Sequence, residues 1–222
     1  MTRNRPSRLP LTRTSGFFLR CVLVYGLLIV PFSGLVTIRP LTDAYRAAFR
    51  RAGNVLFAHL GGGASATFEP IAAAEYHEDT RIVLRNRRVP EGKLSMDIKA
   101  AWTGYRPTAF LVALVVATPL PWRRRAAAML WGLLGVHLFI VLRITLHLLN
   151  MLSDPHPLAA YSFTPFTKSV LSPAARLLFL APFMTYAAPA IIWLLVTFRR
   201  GDPARFLGFG RREAGGTPAP PR

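Results

Sequence analysis

Arg143 and His147 are the two residues whose types and spacing best suit chemistry, because they share one face of an apolar helix. They lie within AAAMLWGLLGVHLFIVLRITLHLL, residues 126–149, and residues four apart lie one above the other on a helix. An arginine at membrane depth costs roughly 2.5–3.5 kcal/mol on insertion scales, so it usually has a partner or a function. We therefore expect a polar site near one end of this helix.

A structural interpretation of these residues competes with the functional one. Arg143 would then cap helix carbonyls or pair with Asp154 at the outer rim, and His147 would be a packed or interfacial histidine. His137, on another face, is typical of hydrogen bonding between helices. His156, within the DPHP segment, is typical of an exposed turn. The sequence leaves both interpretations open.

Metal and cofactor chemistry receive little support, so we expect neither. The single cysteine, Cys21, excludes an internal disulfide and a cysteine-based metal cage. The run Gly61-Gly62-Gly63 lacks the lysine and Ser/Thr of a phosphate-binding loop. A cluster of acidic residues and one histidine has no metal-ligand spacing and favours a solvated loop. This cluster consists of Glu69, Glu75, His77, Glu78 and Asp79.

The elements that position these residues are predicted to be membrane helices. The 222 residues are 52% hydrophobic and carry a formal net charge of +18. Most arginines flank apolar runs, which favours topology signals and anionic lipid at the cytoplasmic face over nucleic-acid binding. Pro182 and Pro189 should kink the last helix. We predict a mainly α polytopic protein with four transmembrane helices at residues 17–38, 104–122, 126–149 and 174–198.

Basic clusters predict the orientation of these helices. The N-terminal tail 1–16, the turn Arg123-Arg124-Arg125 and the start of the C-terminal tail 199–222 fall on one side of the bilayer. The positive-inside rule makes that side cytoplasmic. We thus expect a bacterial inner-membrane protein with both termini cytoplasmic and a disordered C-terminal tail. Arg143 and His147 then lie in the outer half of the third span, and Cys21 lies in the inner half of the first.

Two extracytoplasmic segments complete the prediction. Residues 39–103 contain an amphipathic stretch at 41–60, which predicts a helix in the membrane interface. Alternating apolar and polar residues at about 81–99, interrupted by VPEG, predict a small β-hairpin. Residues 150–173 are predicted to be a loop. The hairpin leads directly into the second span through Ala101-Trp102-Thr103-Gly104-Tyr105-Arg106.

This order of elements, ending in Val141-Leu142-Arg143-Ile144, resembles the exosortase/archaeosortase family of membrane transpeptidase-like proteases. The resemblance covers about residues 94–149. It implies that Gly104 and Thr103 match the glycine and hydroxyl residue of an Ala-Cys-Ser-Gly-like motif. Arg143 matches the arginine of an Asn-x-x-Arg motif. Trp102 stands where the family has its cysteine, and Ile140 where it has its asparagine.

The resemblance implies three roles, and this chain departs from one of them. A thiolate attacks the substrate, a histidine moves the proton, and an arginine stabilises the oxyanion or orients the substrate. An indole at Trp102 is not a nucleophile. Thr103 would replace the cysteine only with a base in hydrogen-bond reach. His147 precedes the family's histidine in chain order, and His156 is a loose candidate.

Three functions remain open. The first is an exosortase-like protein without cysteine catalysis, which binds the C-terminal sorting segment of a secreted protein or other membrane subunits. Its candidate binding residues are Trp102, Gly104 and His147. The second is an active enzyme that uses Arg143 with Thr103 or His156 as catalytic residues. The third is a non-enzymatic four-span scaffold of an envelope complex.

Overall fold

The computed structural model describes residues 11–32, 38–71, 78–87, 89–153 and 161–198. These residues form six helices and one antiparallel sheet. A short 3₁₀ turn, Val30–Phe32, extends the first helix, and a π-helical turn, Ala101–Tyr105, leads into the third. The elements are α1 (Leu11–Ile29), α2 (Arg39–Leu56), β1 (Ala64–Pro70), β2 (Thr80–Asn86), β3 (Val89–Ile98), α3 (Arg106–Ala117), α4 (Trp122–Ser153), α5 (Pro165–Leu180) and α6 (Met184–Thr197).

Helices α1, α3, α4 and α6 form an antiparallel bundle. At one end, the ring of Phe17 stacks on Trp193 with centroids 5.7 Å apart. The indole N–H of Trp193 donates to the hydroxyl of Thr118 at 2.9 Å. At the opposite end, the hydroxyl of Tyr105 donates to the carbonyl of Leu28 at 2.6 Å. Successive bundle helices therefore run in opposite directions.

Helix α3 occupies the centre of this bundle, in contact with α1, α4 and α6. Alanines on α3 let its neighbours approach closely, as small residues do between membrane helices. Ala109, Ala113 and Ala117 are buried there. Gly132 of α4 has the same effect, because a Cβ at that position would lie 3.0 Å from Leu111.

Two stretches of helix are long and apolar enough to cross a membrane, Ser15–Phe32 and Trp122–Ser153. A third qualifies only if α5 and α6 are counted as one broken span. Helix α3 has 12 residues and at 1.5 Å per residue is shorter than the roughly 30 Å of a bilayer core. The chain is thus mostly helical, with two or three candidate membrane spans among its described residues.

The helix predicted over 174–198, with kinks at its prolines, is divided into α5 and α6. Their axes meet at 91° across a short break. Pro182 lies in this break and has no N–H to continue a helical ladder. Pro189, by contrast, lies within α6 without dividing it. Much of the predicted loop 150–173 is also helical, because α5 begins at Pro165, after Thr164 accepts the N–H of Thr167.

The predicted hairpin is present as β2 and β3, and the sheet has a third strand that the sequence did not predict. Strand β1 pairs antiparallel with β2, and β2 pairs antiparallel with β3. One face of the sheet shares a core with α4, through Ile82 and Leu84 from the sheet and Leu148 and Leu152 from the helix. This core holds the sheet against one end of the bundle.

The amphipathic helix α2 covers the outer strand of this sheet. Its Asn54 side chain accepts the backbone N–H of Phe68 at 2.6 Å and donates to the carbonyl of Phe68 at 3.2 Å. These bonds satisfy part of the exposed edge of β1, which otherwise presents unpaired backbone groups. After α2, the glycines Gly61–Gly63 all adopt positive φ angles of 58–86°, and this left-handed turn returns the chain into β1.

Candidate functional site

Arg143 is buried, with 6% of its surface exposed, and it reaches from α4 to the end of α5. Its Nη2 donates to the carbonyl oxygen of Phe179 at 3.0 Å. This carbonyl belongs to the last turn of α5, where helical carbonyls lack an amide partner and carry partial negative charge. The guanidinium therefore caps the C-terminus of α5 beside the break before α6.

The same guanidinium and His147 both contact the ring of Phe179. The Cζ atom of Arg143 lies 5.2 Å from the ring centroid, within the range of a cation–π contact. His147 stacks on the ring, with centroids 4.1 Å apart and an angle of 10° between the planes. The expected pair on one face of the helix is confirmed, and its shared partner is an aromatic residue that sequence reasoning did not identify.

Two further donors of Arg143 have no hydrogen-bond partner within the part of the chain that the structure describes. These are Nε and Nη1, and both are buried. Buried polar groups are nearly always hydrogen-bonded, and leaving one unpaired costs about 1–3 kcal/mol, or more when it is charged. The arginine thus offers two nitrogens to an acceptor. Asp154, an expected partner, lies outside the described residues.

Arg143 lies far along α4 from the basic turn Arg123–Arg125. It lies nineteen residues beyond Arg124 on α4, which is about 28 Å at 1.5 Å per residue. A hydrocarbon core is about 30 Å thick. The distance along α4 from the basic turn to Arg143 is therefore close to the thickness of such a core.

Trp102, at the expected cysteine position, has a different contact. It is 40% exposed, and the Cζ atom of Arg106 lies 3.4 Å from the centroid of its ring. Such an arrangement is a close cation–π contact. The indole shields a cation at the start of α3, and it provides no nucleophile.

Thr103, the alternative nucleophile, is buried with 4% of its surface exposed. Its hydroxyl makes no hydrogen bond to any residue that the structure describes. A threonine attacks a carbonyl only when a base removes its proton. Among the described residues nothing occupies that role, and His156 lies outside them.

Gly104 packs against helix α2. A Cβ at this position would contact the hydroxyl of Tyr45 and lie 3.2 Å from the ring of Phe49. Burial and the carboxylate of Asp79 raise the pKa of Tyr45 above its ordinary range, so this phenol stays protonated at neutral pH. Gly104 thus permits close packing of α2, which is a structural role.

Arg143 and His147 lie at about the same level of the bundle as the π-helical turn, but on a different element. Gly132 faces Leu111, and α3 and α4 run antiparallel. Eleven residues further along α4, Arg143 therefore stands near the level of Ala100. Within the described ranges, no hydrogen bond joins Trp102, Thr103 or Gly104 to Arg143 or His147. The structure brings Arg143 and His147 together and leaves the π-helical turn packed against α2.

Metal ligands are not assembled in the described part of the chain. No group of three or more His, Cys, Asp or Glu side chains there is arranged to hold a metal ion. Glu75 and His77 of the acidic cluster lie outside the described residues. Asp79, from the same cluster, binds protein groups: Thr80 at 2.9 Å and Arg46 at 3.2 Å.

Comparison with protein-family models, with curated proteins and with solved structures found no match to this chain.

Proposed function

We propose that this chain is an exosortase-like integral membrane protein without catalytic activity. It crosses the bacterial inner membrane four times, with α3 as a short central span and α5 and α6 as a broken fourth span. Both termini are cytoplasmic. Its outward-facing site around Arg143 binds a membrane-embedded segment of a partner, such as the C-terminal sorting segment of a secreted protein.

The observation that carries this proposal is the pair of buried, unpaired donors on Arg143. Nε and a terminal nitrogen of a guanidinium form a fork that matches a carboxylate or two carbonyl oxygens. Phe179 fixes the guanidinium through its carbonyl and its ring. A chain terminus or an unwound helical turn of a partner supplies acceptors of this kind.

An apolar surface for such a segment lies on α5. An open groove of about 690 Å³ is lined by Pro173, Leu177 and Ala181. Ala181, which lines this groove, follows Phe179 by two residues in the chain. The exposed side chains of Leu177 and Phe183 would contact the apolar part of a bound segment, while Arg143 holds its polar end.

The absence of catalysis is proposed from Thr103 and Trp102. Thr103 has no base among the described residues, and Trp102 has no nucleophilic atom. An active enzyme using Thr103 and His156 would require a hydrogen bond between them or through one water. Processing of a partner segment that stops in Thr103→Val would overturn this part of the proposal.

A photocrosslinking experiment in the native host tests the binding site. Benzoylphenylalanine replaces Leu177, 48% exposed beside the groove, or Leu134, 47% exposed on α4, as a matched control. We expect a discrete crosslinked protein from position 177 and none from position 134. This crosslinked protein should disappear in the Arg143→Met variant. Thermal unfolding of the purified variants checks that they fold.

Arg143→Lys provides a second variant if Arg143→Met does not fold. Lysine keeps a cation that can donate to the carbonyl of Phe179, but it lacks the planar fork. We expect a weaker adduct with an unchanged unfolding temperature. An adduct of equal yield in both variants, or none at position 177, contradicts the binding function.

A scaffold without a polar binding site is the second candidate. This candidate is favoured by the hydrogen bond from Arg143 to the backbone carbonyl of Phe179. In this bond one nitrogen of the guanidinium caps the end of α5, which is a structural role. On this view Arg143→Met lowers stability, and adducts with other subunits persist wherever the variant folds.

A further inference from the structure

A second buried polar site lies at the opposite end of the bundle, where α4 begins and α6 ends. A cavity of about 360 Å³ opens between these helices. It is separate from Arg143, which is about 28 Å away along α4. Its walls are formed in part by Leu120, Arg124, Ala127, Trp131, Leu195 and Thr197.

The polar wall of this cavity contains an unpaired donor. Thr197 is buried, with 3% of its surface exposed, and it lines the cavity. Its hydroxyl makes no hydrogen bond to the residues that the structure describes. A buried hydroxyl facing a cavity needs an acceptor from water or a ligand.

Two arginines lie at this end of the bundle. Arg124 lines the cavity and donates to the carbonyl of Thr197 at 3.4 Å. Arg125 donates to the carbonyl of Thr118 at 3.3 Å, and its Nε is buried without a partner among the described residues. These bonds place two guanidinium groups at the C-terminal ends of α3 and α6 and hold them in position.

The described part of the chain has no acidic residue after β3. Asp43, Glu69, Glu78, Asp79, Glu91 and Asp97 are the described acidic residues, and all precede α3. The first amides of α4, in the basic turn itself, add partial positive charge because the N-terminal N–H groups of a helix lack intrahelical partners. An anion entering this cavity thus meets hydrogen-bond donors and cations, and no carboxylate is among the described residues that line it.

The other wall of the cavity is apolar and faces outward from the bundle. Trp131 is 61% exposed and Leu195 is 75% exposed. Trp122, the first residue of α4, is also exposed. Tryptophan is enriched at membrane interfaces. One end of the site therefore suits an anionic oxygen, and the other suits a hydrocarbon chain.

We propose that this cavity is a specific binding site for an anionic membrane lipid. Its phosphate accepts hydrogen bonds from Arg124 and the Thr197 hydroxyl, and its acyl chain lies against Trp131 and Leu195. Charged hydrogen bonds of arginine to phosphate are short and strong. The site differs from diffuse attraction to a negative surface, because two named donors select one phosphate group. The inference is independent of the function proposed for Arg143.

Native mass spectrometry of the full chain tests this site, with phosphatidylglycerol as the anionic probe and phosphatidylcholine as the zwitterionic probe. We expect one phosphatidylglycerol to be retained selectively. Thr197→Val keeps the side-chain shape and removes the hydroxyl. Losing a hydrogen bond to a charged group should weaken retention roughly tenfold, with a similar or larger loss in Arg124→Gln.

Arg123→Gln is the matched control, because it removes the same charge from an exposed neighbour outside the cavity. We expect less than a twofold effect. Equal losses in Arg123→Gln and Arg124→Gln would indicate nonspecific electrostatics and overturn the site. If Arg124→Gln fails to fold, Thr197→Val decides the outcome.

Inorganic phosphate distinguishes the source of the bound group. Phosphate alone, at millimolar concentration, should not displace the lipid, since it lacks the acyl chain. Displacement by phosphate, or equal retention of phosphatidylcholine, would overturn the assignment to an anionic lipid.

Discussion

The carboxylate of Asp79 caps the helix that begins at Ala100. Its Oδ1 accepts the backbone N–H of Ala100 at 3.0 Å, and its Oδ2 lies 3.2 Å from Nε of Arg46 on α2. Asp79 immediately precedes β2. The side chain of Asp79 therefore links the sheet, helix α2 and the helical turn that leads into α3.

Asp79→Ala should loosen the start of the helix at Ala100. Removing a capping acceptor costs about 1 kcal/mol, so the unfolding temperature should fall and hydrogen exchange of the amides in Ala101–Tyr105 should accelerate. Asp43→Ala is the control, since Asp43 also bonds Arg46, at 3.2 Å, but caps no amide at Ala100. Similar exchange rates in both variants would contradict the capping role.

Gly104→Ala should separate α2 from the π-helical turn. The added methyl group meets Tyr45 and Phe49, and overpacking of this kind costs about 1–3 kcal/mol. The unfolding temperature in detergent reports the loss. The added methyl group would contact the Tyr45 hydroxyl, so Tyr45→Phe should restore part of the lost stability in a double-mutant cycle.

Gly26→Ala provides the comparison for this effect, because nothing lies within 4 Å of a Cβ there. The added methyl should leave stability unchanged or raise it slightly, since glycine is a poor helix former. If Gly104→Ala is equally harmless, the close packing described for Gly104 is incorrect.

Single cysteines should label from opposite sides of the membrane. In a Cys21→Ala background, Lys93→Cys on β3 and Arg123→Cys in the basic turn both replace exposed basic residues. We expect an impermeant maleimide to label position 93 in intact spheroplasts and position 123 only after permeabilisation. Labelling of both from the same side would contradict a membrane crossing by α3.

Acid below about pH 4 should weaken the pairing of β2 with β3. Arg81 donates two hydrogen bonds to Asp97, at 2.7 and 2.8 Å, which lowers the pKa of Asp97. A lowered folded-state pKa contributes stability above the unfolded value of about 3.9 and loses it as the pH falls through the folded value. In Asp97→Asn, the difference between the unfolding temperatures at pH 3 and pH 7 should therefore be slightly smaller than in the original chain.

This contribution is small, because both side chains are exposed and screened by solvent. Lys93→Gln, on the same strand but without this ion pair, should keep the pH dependence of the original chain. An unchanged pH dependence in Asp97→Asn would show that the pair is broken in solution.

The long helix around Arg143 was predictable from sequence, because an apolar run of this length is typical of a membrane helix. The hairpin was predictable from alternation, but its turn was not: VPEG, expected between the strands, lies within β3, and Asn86 already pairs with Val89. Strand β1 was not, because its buried positions include Ala64 and Ala66, whose small side chains produce a weak alternation. The start of α5 did have a local signal, Thr164 before Pro165, which is typical of a helix N-terminus.

The surroundings of Arg143 were only partly predictable. Its face on α4 follows from helical periodicity, and Pro182 indicated an interruption nearby. The acceptor itself is the carbonyl of Phe179, a backbone group made available by the end of α5. No residue type encodes such a partner, because it arises from the position of one helix end against another.

The central position of α3 also determines when its packing can be completed during synthesis. Its contacts with α1 and α4 involve segments made earlier or immediately afterwards, whereas α6 is synthesised last. Until Met184–Thr197 has emerged, the indole of Trp193 cannot bond Thr118, and the small-residue surface of α3 remains open to lipid. Ribosome-bound chains that stop before α6 should therefore be sensitive to membrane quality-control proteases.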